Sequence, residues 1–136
     1  MNLTISDDSH SLFVTVPTAG SHPDLLEGII SATGLPREHI IVIRTKPDVE
    51  LPSGCIVIDD FDTPNIQRWW KRGIDESVAR GATAVAVLND DLRIETDTIN
   101  KLHTELVATG ATVATPSRPA LRLGVHKRPL IPYEPV

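Results

Sequence analysis

The feature that most constrains the fold is an unbroken aliphatic run, Ile40-Ile41-Val42-Ile43, within an expected strand from His39 to Arg44. A strand with one face in water alternates apolar and polar side chains. Four β-branched residues in a row suit a strand covered on both faces, as in a parallel sheet between helical layers. Three further apolar runs read as strands: Ser11 to Val16, stopped by Pro17; Cys55 to Ile58, ending at Asp59-Asp60; and Ala82 to Leu88.

The stretches between these runs have helical spacing. Pro23 opens the first, with Leu25, Leu26, Ile29 and Ile30 on one side, and Gly34 and Pro36 close it. In the second, Thr63 reads as the N-cap and Pro64 as the first helical residue, followed by Ile66, Trp69, Trp70, Ile74 and Val78 before Gly81. Thr96 is the expected cap of a third, with Ile99, Leu102, Leu106 and Val107 sharing a face and Gly110 at its end. A last strand is expected at Ala111 to Ala114. The order β-α-β-β-α-β-α-β predicts a three-layer α/β/α domain with a mostly parallel sheet.

A length of 136 residues suits one domain, and an aromatic share of 4% requires a core of Val, Ile, Leu and Ala. From Thr115 onward the chain holds five of its eleven prolines and several basic residues, so we divide it into a domain over 1–116 and an extended arm over 117–136. A formal charge of -5 excludes broad nucleic-acid binding, which needs clustered Lys and Arg. A phosphorylated ligand would need a divalent cation, a helix N-terminus or a few placed basic residues. Cys55 is the single cysteine, which excludes an internal disulfide and a cysteine zinc cluster; its setting in a strand predicts a packing role. No run approaches the roughly 20 apolar residues of a membrane span, and Met1 to Asp8 lacks a basic start and an apolar stretch, so a cytoplasmic protein is expected.

In open parallel sheets ligands bind beyond the carboxyl ends of the strands, where loops converge and helix N-termini point inward. Those ends are Pro17-Thr18-Ala19-Gly20, Arg44-Thr45, Asp59-Asp60 and Asn89-Asp90-Asp91. The last has the strongest signal. Adjacent carboxylates repel unless a cation or a solvated loop relieves them, and Mg²⁺ or Mn²⁺ takes one or two carboxylates plus diphosphate oxygens. A turn rich in Asp and Asn leading to the next helix is an equally good reading of the same residues. A P-loop and a dinucleotide-binding glycine motif are both missing.

The order Val14-Thr15-Val16-Pro17-Thr18, then Asn65 with Arg72-Gly73-Ile74, then Leu88-Asn89-Asp90-Asp91 resembles family 2 glycosyltransferases of the GT-A fold over residues 11 to 116. The resemblance implies that Pro17, Thr18 and Ala19 line a nucleotide pocket with Arg44, Asp60, Asn65, Lys71, Asn89 and Asp90 around it. It also implies that Asp91 binds Mg²⁺ or Mn²⁺ and that His126 can return from the arm as a second metal ligand, against the alternative that His126-Lys127-Arg128 belongs to a mobile basic tail. Where the family carries an Asp for uracil at the second strand end, this chain has Ile43-Arg44-Thr45. Asp60 reads equally well as a solvated turn residue, and Lys71 as a solvated helix lysine. Of Trp69 and Trp70, one is expected in the core, and the other either packs likewise or covers the pocket.

The implied function is binding of a nucleoside diphosphate sugar with a divalent metal and transfer of the sugar to an unidentified acceptor hydroxyl. The family takes its base from a second half of the fold, which has no counterpart here. A transferase completed as a homo-oligomer through the arm, a non-catalytic nucleotide-sugar-binding module and a structural protein that retains the fold are therefore the three readings.

Overall fold

The computed structural model describes residues 11–115. The expected arm over 117–136, and with it His126, lies outside the described residues. Strands β1 (Leu12–Thr18), β2 (Ile40–Arg44), β3 (Ile56–Asp59) and β4 (Ala84–Val87) form a four-stranded sheet in the order β3-β2-β1-β4, and every pairing is parallel. Helices α1 (Pro23–Ala32), α2 (Ile66–Ala79) and α3 (Thr98–Thr109) complete the described part, with a short 3-10 turn at Arg37–His39. No described helix is long and apolar enough to cross a membrane.

The two-residue period of a strand sorts the aliphatic runs between two faces. Leu12, Val14 and Val16 of β1 and Ile40 and Val42 of β2 pack on one side with Leu26 and Ile30 of α1 and Ile99 of α3. Phe13, Ile41 and Ile43 face the other side and pack against Trp69 of α2. The sheet therefore has helices on both faces, as the unbroken run of β2 requires. Each aliphatic side chain so covered contributes about 2 kcal/mol.

On the α2 side the packing is backbone-close. A Cβ added to Gly73 would lie 1.7 Å from Thr15 Oγ1 and 2.6 Å from Thr15 Cβ, so helix and central strand meet where the helix has no side chain. One turn on, Ser77 is buried as well and returns its hydroxyl to the Gly73 carbonyl at 2.7 Å.

Three local expectations are corrected. The second helix starts at Ile66 rather than Pro64, and its cap is Asn65, whose Oδ1 accepts from the Arg68 amide at 3.0 Å. The expected cap Thr63 instead gives its carbonyl to Arg68 Nη2 at 2.7 Å. At the third helix the N-cap residue is Asp97 rather than Thr96, and its side chain caps nothing because Lys101 draws it away at 2.8 Å. Finally, Ala111 to Ala114 takes no strand pairing. Its largest side chain, Val113, is exposed, so the run lacks the burial that would offset the ordering of a strand.

Candidate functional site

Pro17 does not stop the first strand as expected: β1 runs through it to Thr18, and Pro17 decides what happens on the β4 side. The Thr15 carbonyl accepts from the Leu88 amide, whereas the Thr18 carbonyl accepts from Thr45, so odd residues of β1 face β4 and even ones face β2. Pro17 faces β4 and has no N–H to offer it. The β1–β4 ladder accordingly ends at Thr15↔Val87, while β1–β2 pairing continues to Thr18↔Arg44. Past that point β1 and β4 part, and a cleft of about 260 Å³ opens between their ends.

This is also where the topology reverses: β2 and β3 lie to one side of β1 and β4 to the other. In open parallel sheets such a switch point leaves a crevice at the strand ends. Six of the expected residues, Pro17, Thr18, Ala19, Asn89, Asp90 and Asp91, line this cleft together.

Its walls are cross-tied. The buried Thr18 hydroxyl donates to Asp90 Oδ2 at 2.7 Å and accepts from the Gly20 amide at 3.0 Å. Thr45 Oγ1 and its amide both donate to the Thr18 carbonyl, at 3.1 and 3.0 Å. Gly20 turns the loop at φ +79, a left-handed conformation, and a Cβ there would stand 2.8 Å from Val49 Cγ2. Asp90 is thus oriented by the end of β1, whereas Asp91 is exposed at the mouth of the cleft and no described residue donates to it.

Two helices begin at the cleft. Ser21 and His22 precede α1, and Ile66, the first residue of α2, lies in the opposite wall with Trp69 one turn on. His22 occupies the N-cap position of α1 without a side-chain cap bond. The unpaired amides and the dipole of such helix starts favour an anion. Ser21, His22 and Ile66 escaped the sequence reading because they carry no motif; a position just before a helix and beside a strand end was the available signal. Trp69 serves both the α2-side core and the cleft wall.

The other four expected residues in the described range are held elsewhere. Arg44 forks onto Asp59, Nε to Oδ1 at 2.7 Å and Nη2 to Oδ2 at 2.9 Å, and its guanidinium lies over the Phe61 ring at 5.8 Å. The hydrogen bonds lower the Asp59 pKa and raise that of Arg44. Asn65 caps α2, and Lys71 pairs with Asp75 at 2.7 Å on the exposed side of the same helix. Asp60 is 4% exposed and is no solvated turn residue. Its carboxylate accepts from Arg68 at 2.9 and 3.0 Å and from Arg72 at 3.2 Å, joining the end of β3 to α2.

Arg68, against the opposing effect of burial and with help from Arg72, holds the Asp60 carboxyl well below the ordinary carboxylate range. A depressed folded pKa stabilises the fold above the unfolded value of about 3.9 and loses that contribution as the pH falls from there through the folded value. Asp60→Asn is expected to cost about 2 kcal/mol in urea unfolding at pH 7, the worth of hydrogen bonds to a charged group. The gap between variant and parent should shrink below about pH 4. A constant gap from pH 7 to pH 3 would show that the charge of Asp60 is not what joins β3 to α2.

For a divalent cation the donor set is partial. The described residues contain no group of three His, Cys, Asp or Glu that could hold a metal. The side chains of Asp91 and Asn89 are exposed in the cleft and Asp90 stands beside them, a set that fits an ion bringing phosphate oxygens with it better than an ion held by protein alone. The fold and the cleft together define an open parallel α/β domain with a crevice at its switch point. No protein-family model, curated protein or solved structure matches this chain.

Proposed function

We propose that the cleft binds a nucleoside diphosphate sugar together with Mg²⁺ or Mn²⁺, and that the domain is the donor-binding part of a GT-A-type glycosyl transfer. One observation carries the reading: the parting of β1 and β4 at Pro17 brings an exposed Asp91, an oriented Asp90 and the starts of two helices to one crevice. Acidic side chains and helix N-termini attract opposite charges. Asp91, with Asn89 and Asp90 beside it, would hold the cation, and the starts of α1 and α2 would take the diphosphate, so that each charge would meet its opposite. When bound, such a metal supplies charge stabilisation to the departing nucleoside diphosphate.

The chain's own part is to bind and orient. Thr18 fixes Asp90, the Thr45–Thr18 bonds keep the two loops in register, and Trp69 gives the pocket an apolar wall. A specific observation favours a second reading, binding without turnover. Asp90 accepts from the buried Thr18 hydroxyl, and on this reading Asp91 is given to the metal, so neither is left to take a proton from an acceptor hydroxyl.

A thermal-shift panel of nucleoside diphosphates and their sugars, with and without Mn²⁺, tests the proposal. A ligand at a hundred times its dissociation constant stabilises by about 2.7 kcal/mol, and we expect that shift only with metal and diphosphate together. No shift with any member of the panel would sink the reading. A shift without release of nucleoside diphosphate in a transfer assay would select the non-catalytic form.

A further inference from the structure

Among the described residues that line the cleft, Asp90, Asp91 and His22 alone carry a carboxyl or an imidazole. The two acids follow β4, whereas His22 comes from the loop between β1 and α1. Asp90 accepts from Thr18, and the proposed cation takes Asp91. His22 has neither commitment.

No described contact uses the His22 side chain. It occupies the N-cap position of α1, where Ser, Thr, Asp or Asn would accept from a free amide of the first turn. The exposed imidazole makes no such bond, and no described residue, Asp24 of that first turn included, hydrogen-bonds or ion-pairs with it. What the helix takes from this residue is its backbone: the His22 carbonyl accepts from the Leu26 amide at 3.0 Å. An imidazole free of structural duties is suited to proton transfer, because it changes charge near neutral pH and can hold a lone pair open.

We infer that the cleft hydrolyses the diphosphate of the nucleotide sugar it binds, with His22 taking the proton of the attacking water. This rests on the donor-binding reading, in which the start of α1 takes the diphosphate. His22 is the residue at that start, so the free proton acceptor stands at the phosphorus end of the ligand. Water needs no second domain to supply it, unlike a sugar acceptor. In the step, the water oxygen bonds to one phosphorus as the bond from that phosphorus to the bridging oxygen breaks. The electron pair of the broken bond leaves with the other phosphate. One water proton passes to the free ring nitrogen of His22 and from there to solvent, and the other stays on the new phosphate monoester. The products are a nucleoside monophosphate and a sugar 1-phosphate, whichever phosphorus is attacked.

The test uses the full chain with Mn²⁺ and, in turn, the glucose derivatives of UDP, GDP and ADP, with products separated by chromatography and affinity measured by calorimetry. Nucleoside monophosphate and glucose 1-phosphate are expected in equal amounts. His22→Asn places a preferred cap at the same position, so fold and affinity should be kept while the rate falls by about 100-fold or more, the worth of a general base. His22→Ala leaves room for free imidazole, which should restore part of its rate; a merely structural histidine would give no such rescue. Binding without nucleoside monophosphate, a full rate in His22→Asn, affinity lost with the rate at saturation unchanged, or no rescue by imidazole would each overturn the inference and leave the donor-binding reading standing. Nucleoside diphosphate and free glucose as the products would also overturn it, by placing the chemistry at the sugar carbon. Binding of none of the three nucleotide sugars would overturn both.

Discussion

Gly73→Ala should destabilise the chain by about 3 kcal/mol, at the upper end of overpacking costs, and lower its melting temperature by roughly 10 °C. The added methyl would meet Thr15 at 1.7 Å, and Thr15 is fully buried in the central strand, so neither side chain nor strand has room to yield. Relief would require α2 to lift from the sheet. That motion would also pull Trp69 from Phe13, Ile41 and Ile43 and displace Ile66 from the cleft wall, so stability and site would be lost together. Gly28→Ala is the matched control: it lies within α1 and a Cβ there meets nothing within 4 Å. It should stabilise by about 0.5–1 kcal/mol through helix propensity and a less disordered unfolded chain. Thr15→Ala in the Gly73→Ala background removes two of the three clashing atoms and should restore part of the loss, read as a coupling in a double-mutant cycle. Equal melting temperatures for Gly73→Ala and the parent would mean that helix and strand do not touch there.

The case of Gly73 also shows how far the sequence could be read. Its place in the Arg72-Gly73-Ile74 step was noticed as a motif, but the reason for a glycine became visible only when Thr15, 58 positions earlier, stood against it. Four of the five expected strands were legible because aliphatic runs have few other uses, and the parallel, doubly covered sheet followed from the unbroken run of β2 together with the alternation of strands and helices. The cleft was legible in its acidic half, since Asn89-Asp90-Asp91 ends an apolar run, and less so in its other half. His22 and Ser21 belong to it through the position of α1, which short-range sequence patterns do not encode. Asp60 illustrates the opposite error. Arg68 and Arg72 are one helical turn apart and both reach it, so the acid that ends β3 anchors a helix where a nucleotide contact or a solvated turn was expected. The spacing of the two arginines was the available signal.

Asp91 and Asp90 should respond differently to the loss of a carboxylate, and the difference tests how the cleft works. In calorimetry with Mn²⁺ and whichever nucleoside diphosphate stabilises the fold, Asp91→Ala is expected to weaken binding by about 100-fold. That is the upper end of what supporting partners of a metal site cost and a modest demand on a direct ligand. The fold should be unaffected, because Asp91 is exposed and no described residue donates to it. Asp90→Ala removes the acceptor of the buried Thr18 hydroxyl, a bond of 2.7 Å, and should cost stability of about 1–2 kcal/mol as well as affinity. Thr18→Val separates the two effects: it keeps both carboxylates and deletes only the bond that orients Asp90, along with the acceptor of the Gly20 amide. Affinity in Thr18→Val should fall by about 10-fold, less than in Asp91→Ala, if a preoriented Asp90 contributes to the metal site. Metal-independent binding of the diphosphate, unchanged in Asp91→Ala, would instead assign the attraction to cleft groups other than that carboxylate, foremost the starts of α1 and α2, which favour an anion without a cation.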